Sequence, residues 1–225
     1  MRWLWLLVPL FLLSCGRPLT PSEAAFATRM HGESLDTSRI RIVDGALIGK
    51  ISYPRPTRPR LTCRERIVPE ITTPTVTVAP AAVVVHNRVF FSNDWYETNF
   101  MPRYPQFMSL VHAMVFAHEM THVWQWQNRK ATGYSPLRAM REHRLSDDPY
   151  LFDIATKAEF LDYGYEQQAS IVEEYVCCQT LDPEAPRTAR LRALLEGAFP
   201  TADLPAPDNV LIPWKDARIK GICRL

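Results

Sequence analysis

The sequence predicts an α+β fold, because strand-like runs come first along the chain and two long helical patterns follow them. The runs rich in β-branched and aromatic residues lie at 39–43, 75–78, 83–85 and 89–91. Apolar helical patterns extend over residues 109–132, without glycine or proline, and over 164–179. Residues 16–225 are enough for a single domain with a substantial core and too few for two ordinary domains.

The first predicted element is a helix over residues 21–31. Thr20 and Glu23 have the spacing of a capping box, and proline occupies the first helical position. Gly32 then ends the helix. The strand-like runs follow, and residues 86–88 predict a turn between the last two of them.

The first long helical pattern contains the motif His118-Glu119-Met120-Thr121-His122. A spacing of four places both imidazoles on one helical face, where they can reach a single metal ion. In zinc hydrolases with this motif the histidines bind zinc and the glutamate accepts a proton from the metal-bound water. The alternative is a buried helix whose histidines only satisfy core hydrogen bonds. A metal is favoured, since an ionised Glu119 needs a cation or donors to offset its desolvation.

A catalytic zinc ion needs a third protein ligand, and the second long helix offers two carboxylates for it. Glu166 and Glu173 lie seven residues apart on roughly one face, whereas Glu174 is turned away by about 100°. The only later histidine, His143, lies in a polar stretch at 141–148 that predicts a loop. The pattern therefore favours a glutamate ligand and leaves Glu166 and Glu173 open.

The segment HEMTHVWQWQ, followed further along the chain by YEQQASIV, resembles two related groups of zinc metallopeptidases. From Leu19 onward the chain resembles zincin-like proteins of unknown function that occur with contractile injection systems and as small "vgr-related" proteins of proteobacteria. In that family a helix opens as at residues 19–23, and strands follow as at 35–42 and 89–91. More distantly, YEQQAS resembles the Glu-x-x-Ala-Asp segment of the M48 peptidases.

These resemblances imply a zincin-like fold, with a small, mainly antiparallel sheet packed on the HExxH helix and on a second, glutamate-bearing helix. The M48 pattern implies that Glu166 is the third zinc ligand. Ser170 departs from that pattern, which has an aspartate at this position, so the groups that orient the ligands must differ. His143, Tyr163 and Tyr165 are candidate donors to the oxyanion, and their spacing selects none of them.

The amino terminus resembles a bacterial lipoprotein signal peptide over residues 1–15. Arg2 precedes an apolar run at 3–13, which is too short to span a bilayer comfortably, and Cys15 follows a lipobox-like end. The resemblance implies acylation of Cys15 and a lipid anchor facing the periplasm, and Gly16 favours the outer membrane. An ordinary secretory signal is the alternative, and either one predicts export from the cytoplasm.

Export predicts an oxidising environment for the four remaining cysteines. A bond between neighbours in one helix is strained, so Cys177 and Cys178 should each pair with a distant partner, Cys63 or Cys223. Two disulfides are therefore expected, with their connectivity open. A zinc site built from these cysteines and free buried thiols are the alternatives.

Composition excludes some classes of partner. A net charge of +2 argues against a dedicated nucleic-acid surface. The chain also has no glycine-rich phosphate loop. The basic stretch at 55–66 predicts a solvated loop, with contact to anionic lipid or envelope polymer as the alternative. A short helix at 188–197 and a proline-rich tail at 200–213 that wraps the surface complete the chain.

Together these features predict a zinc metallopeptidase of the bacterial envelope that acts on a peptide or protein. His118, His122 and Glu166 would bind one Zn²⁺ ion per chain, and Glu119 would act as general base. The alternatives are a non-catalytic envelope lipoprotein that serves as a binding or assembly module, and a cell-wall hydrolase acting on other amide bonds. Intact HExxH favours an enzyme, because a structural zinc site has no need of Glu119. The sequence leaves the oligomeric state open.

Overall fold

The computed structural model describes residues 16–46, 49–54, 60–70, 72–145, 148–155, 159–200, 204–215 and 217–224. The predicted signal peptide, with Cys15, and the basic residues Arg55 and Arg58 lie outside these ranges. Across the described ranges, no helix combines the length and apolar character that crossing a membrane requires.

Helices and short strands alternate along the chain, which confirms the α+β class. The helices are α1 (Pro21–His31), α2 (Cys63–Ile67), α3 (Leu110–Gln127), α4 (Arg129–Thr132), α5 (Pro136–Leu145), α6 (Tyr165–Leu181) and α7 (Pro186–Glu196). The strands are β1 (Arg41–Asp44), β2 (Ile51–Pro54), β3 (Thr75–Val78), β4 (Ala82–Val85), β5 (Arg88–Phe91), β6 (Phe107–Ser109) and β7 (Asn209–Leu211). Short 3₁₀ helices lie at Gly32–Ser34, Thr37–Arg39 and Phe160–Asp162.

The sheets of the described residues are small and mixed, so the prediction of a mainly antiparallel sheet is wrong. A three-stranded sheet has the order β1-β5-β4, in which β5 pairs parallel to β1 and antiparallel to β4. Strands β2 and β3 pair antiparallel, and β6 and β7 pair parallel. The parallel pairs join strands that are distant in sequence. Turn residues predict only local hairpins such as β4-β5, so the sequence gives no indication of the parallel pairs.

The core joins this sheet to the long helix α3. Val89 and Phe91 of β5 are fully buried, and the Phe91 ring lies 4.4 Å from that of Phe100. Phe100 in turn stacks on Phe116 of α3 at 5.6 Å. This aromatic row fixes α3 against the sheet two residues before His118, so the packing that holds the fold also positions the HExxH motif.

Helix α1 begins with the predicted capping box, and its glutamate has a larger role than capping. Glu23 accepts hydrogen bonds from the Thr20 backbone amide at 2.8 Å and from that of Phe100 at 2.9 Å. Arg17 donates to both carboxylate oxygens, at 2.7 and 2.8 Å. Because Glu23 is fully buried, this one carboxylate joins the chain start, α1 and the segment before α3.

We therefore expect Glu23→Ala to lower the free energy of unfolding by about 3 kcal/mol, since it leaves a guanidinium and a buried amide without their acceptor. Chemical denaturation monitored by circular dichroism measures the loss. Glu196→Ala is the control, because Glu196 pairs with Arg192 on the surface and should change stability by less than about 0.5 kcal/mol. Equal effects of the two substitutions would contradict the role given to Glu23.

Three other predictions fail where side chains meet partners distant in sequence. Residues 141–145 belong to helix α5 and form no loop. The proline-rich tail contributes β7 and the buried Leu204 and is therefore more than a surface wrap. Arg64 of the basic stretch lies in α2 and pairs with Glu173, so this part of the stretch is not a solvated loop.

Candidate metal centre

The candidate site lies where α3 and α6 pack against each other. One amide joins the two helices, since Gln125 Nε2 donates to Gln168 Oε1 and to the Tyr165 carbonyl, both at 2.9 Å. Helix α6 begins after Gly164, as the sequence predicts, and ends at Leu181, two residues beyond the predicted helical pattern. This packing brings Glu166 of α6 to His118 and His122 of α3.

The three predicted ligands form a nearly equilateral triangle of donor atoms. His118 Nε2 and His122 Nε2 lie 3.2 Å apart, and Glu166 Oε2 lies 3.3 Å from each. Tetrahedral zinc holds nitrogen and oxygen ligands at about 2.0–2.1 Å, which places neighbouring ligand atoms about 3.3 Å apart. All three side chains are buried and converge on one point, so the residues present fit a zinc ion.

The ring of His122 is oriented by the same amide that joins the helices. His122 Nδ1 lies 2.9 Å from Gln125 Oε1. Since the amide nitrogen of Gln125 already donates twice, its oxygen must be the acceptor, and His122 carries its proton on Nδ1. This tautomer leaves the Nε2 lone pair free for a metal.

We expect Gln125→Leu to weaken zinc affinity about 10-fold to 100-fold, because it removes the acceptor that fixes the tautomer of His122. Competition with a chromogenic chelator measures the affinity. Gln127→Leu is the control in the same helix, since Gln127 bonds to the Asp36 carbonyl and to Asn87, away from the ligands. Unchanged affinity in the Gln125 variant would show that the amide does not orient the ligand.

The ring of His118 faces a different group. Its Nδ1 lies 3.4 Å from Glu173 Oε2, and Arg64 donates to the same oxygen at 2.9 Å. Glu173 is therefore close to a ligand but behind it, on the side of the ring opposite Nε2. Sequence reasoning left Glu166 and Glu173 open as ligands, and the structure places only Glu166 at the converging Nε2 atoms.

Charge in the site favours a cation. Burial acts against protonation of His118, but its interactions with the carboxylates of Glu166 and Glu173 outweigh it and raise its pKa to about 10. Burial raises the pKa of Glu119, and the charges of His118 and His122 oppose the rise. Burial also acts to raise the pKa of Glu173, but the charge of Arg64 and the bond to His118 lower it. Three buried carboxylates thus surround two imidazoles, a set that binds a divalent cation readily.

The tyrosines proposed as oxyanion donors are engaged elsewhere. Tyr163 donates its hydroxyl to the Asp153 carbonyl at 2.9 Å, and Tyr165 donates to the Gly133 carbonyl at 2.8 Å. Each hydroxyl has one proton, so neither is free to donate to a substrate in this arrangement. The His143 side chain lies outside the described residues.

Two other tyrosines lie near the ligands, and sequence reasoning missed both. Burial raises the pKa of Tyr134 to about 12, and Glu166 and Glu119 add to the rise. The Tyr150 ring lies 6.0 Å from the His118 ring. Both residues belong to the segment that connects α3 to α6, and no spacing relates them to the motif, so only the fold reveals them.

A cavity of about 480 Å³ lies between α5 and the start of α6. Its walls include Arg138, Arg141, Glu142, Pro149, Tyr165 and Gln167. The two arginines and Glu142 make part of this wall charged.

The four cysteines form two disulfides, as the sequence predicts. Cys63 pairs with Cys177, and Cys178 pairs with Cys223. Each of the adjacent cysteines of α6 thus bonds to a distant partner. The alternatives of a cysteine zinc site and of free thiols do not hold in this structure, because all four sulfur atoms are bonded in pairs.

Comparisons with known proteins identify a similarity to a type VI secretion spike protein. No family model matches the sequence. The chain is 25% identical over 186 residues to the type VI secretion system spike protein VgrG2b of Pseudomonas aeruginosa. The match covers 83% of this chain and only 15% of the length of that protein. The predicted vgr-related similarity is therefore confirmed.

The solved effector domain of Pseudomonas aeruginosa VgrG2b has a similar fold. The two structures align with a TM-score of 0.51 and 23% sequence identity, over 82% of this chain and 84% of that domain. The similarity thus extends over most of both chains and shows a common α+β architecture.

Proposed function

We propose that the chain is a zinc-dependent peptidase with a zincin-like fold. The observation that carries this proposal is the triangle of His118, His122 and Glu166 donor atoms, at zinc-ligand spacing, with the buried carboxylate of Glu119 beside it. Three protein ligands are the number that a catalytic zinc site uses, since the fourth position is left for water.

Each residue of the site has a distinct task in this proposal. His118, His122 and Glu166 would hold the zinc ion, which when bound acidifies a water molecule and polarises the scissile carbonyl. Glu119 would act as the general base, which would take a proton from the attacking water and would give it to the leaving amine. Gln125 keeps the His122 Nε2 atom unprotonated. Tyr134 and Tyr150 interact with the candidate ligands, and in this proposal they contact the substrate.

The similarity to VgrG2b supports an exported, effector-related role, and we propose that this chain acts in the bacterial envelope. Two disulfides agree with an oxidising compartment, since such bonds are rare in the cytoplasm. The lipobox-like sequence ending at Cys15 supports a lipid anchor facing the periplasm. Incorporation of labelled palmitate into wild type and not into Cys15→Ser would support the anchor, and its absence from both would exclude it.

The peptidase is tested by measuring metal content and hydrolysis on one preparation. We expect one zinc per chain and cleavage of an unfolded protein such as reduced casein. A chelator should abolish the cleavage, and added zinc should restore it. Zinc binding without cleavage of protein or cell-wall peptides would favour the non-catalytic binding module. Cleavage of cell-wall peptides alone would favour the hydrolase of other amide bonds.

A further inference from the structure

The short helix α2 brings a positive charge to the metal centre from a distant part of the chain. Five residues are too few for a helix that is stable on its own, so contacts with the rest of the protein must hold α2 in place. Its first residue, Cys63, is bonded to Cys177 of α6. The Cys63 backbone amide also donates to Glu174 Oε2 at 2.7 Å.

Arg64 follows Cys63 directly and reaches the ligands through one carboxylate. Arg64 donates to Glu173 Oε2 at 2.9 Å, and the same oxygen faces His118 Nδ1 at 3.4 Å. Glu173 is 6% exposed, so its charge needs this partner. The path from disulfide to ligand thus runs from Cys63 through Arg64 and Glu173 to His118.

Helix α6 brings the two ends of this path together. Glu173 and Cys177 lie four residues apart and therefore project from the same face of the helix, one turn apart. Both of them reach α2, one through the ion pair and the other through the disulfide. Breaking the disulfide would leave the ion pair and the backbone hydrogen bonds of Cys63 and Arg64 to Glu174 to hold α2 against α6 at this point.

We propose that the Cys63–Cys177 disulfide sets the metal affinity of the His118, His122 and Glu166 site by holding Arg64 on Glu173. This inference rests on the proposed function and adds regulation to it. Arg64 is a positioning residue, because it acts on the ligand through Glu173. The site binds zinc tightly in the oxidised chain and weakly in the reduced chain, so metal binding follows the redox state of the compartment.

The test compares zinc affinities by chelator competition in purified protein. We expect Arg64→Gln to raise the dissociation constant about 10-fold, at the lower end of what loss of a group behind a ligand costs. Arg66→Gln is the control in the same helix, since Arg66 bonds to the carbonyls of Arg60 and Ile222 and should leave the affinity unchanged. Visible spectra of the cobalt-substituted proteins report on ligand geometry and should change with Arg64→Gln only.

The role of the Cys63–Cys177 disulfide is tested in a variant that lacks the second disulfide, Cys178–Cys223. Cys178→Ser with Cys223→Ser removes the second disulfide and should bind zinc like the wild type. A phosphine reductant then cleaves Cys63–Cys177, taking an oxygen atom from water to become the phosphine oxide and leaving two thiols. We expect the zinc dissociation constant to rise about 10-fold on reduction. Circular dichroism shows whether the reduced variant is folded. If the reduced variant is unfolded, Arg64→Gln provides the test, because that variant keeps both disulfides.

The outcomes separate this inference from the proposed function. Wild-type protein that binds no zinc would contradict the proposed function itself. Tight zinc binding by the wild type, with the same affinity in folded Arg64→Gln, would overturn the inference and leave the peptidase intact. A loss of affinity in Arg64→Gln that equals the loss in Arg66→Gln would also overturn it, because the effect would then be general to α2.

Discussion

Glu119→Gln is expected to lower kcat/KM for peptide hydrolysis about 10³-fold while the protein keeps its zinc. Glutamine has the shape of glutamate but accepts no proton at neutral pH, and positioned general bases contribute about 10²-fold to 10⁴-fold. A 10³-fold loss corresponds to about 4 kcal/mol of transition-state stabilisation. Rates on a fluorogenic peptide and elemental analysis of the same preparation measure the two quantities.

The comparison of zinc and rate makes this prediction specific. Glu119 is not at the converging donor atoms, so its substitution should leave zinc content at the wild-type level. Retained hydrolysis in a zinc-loaded Glu119→Gln protein would exclude Glu119 as the base. Lost zinc would instead assign Glu119 to the ligand set.

Glu166→Ala is expected to weaken zinc affinity by more than about 100-fold, which exceeds the usual loss for a group behind the ligands. The substitution removes one of three protein ligands and leaves two imidazoles to hold the ion. Glu173→Ala is the matched variant in the same helix, seven residues on, and should weaken affinity only about 10-fold to 100-fold. Chelator competition on both variants measures the difference.

The order of the two effects identifies the third ligand. A larger loss for Glu173→Ala than for Glu166→Ala would reassign the ligand to Glu173. Equal losses would show that both carboxylates contact the ion. Both results would contradict the geometry in which only Glu166 meets the two Nε2 atoms.

Sequence reasoning predicts that the three candidate ligands come together, because the signals for their two helices are local. The HExxH spacing places both histidines on one face, and the structure brings their Nε2 atoms to 3.2 Å. The helical pattern also predicts that α6 begins after Gly164. The capping box of α1 depends on only four consecutive residues, so it can also be predicted from the sequence.

The groups behind the ligands were not predictable, because they come from other parts of the chain. Arg64 lies 109 positions from Glu173, in a stretch that reads as a basic loop. The parallel pairing of β6 with β7 joins the segment before α3 to the tail, and nothing local marks it. Helix α5 was missed because the polar residues at 141–148 dominate its pattern.

Ser170 shows how this chain departs from the M48 pattern. In the place of a supporting aspartate it has a buried hydroxyl without a hydrogen-bond partner among the described residues. Gln125 and Gln168 instead bond to each other and to His122 and the backbone. Neutral amides therefore orient one histidine here, while the Glu173–Arg64 pair faces the other.

The connection between α3 and α6 has a consequence for how such proteins diverge. The ligand-bearing helices are joined directly by Gln125, whereas the intervening segment meets α6 through bonds such as Glu142 to the Tyr165 amide and Gln167 to the Leu151 carbonyl. That segment also provides much of the cavity wall. An exchange of this segment would therefore alter the cavity while leaving the His118, His122 and Glu166 triangle in place.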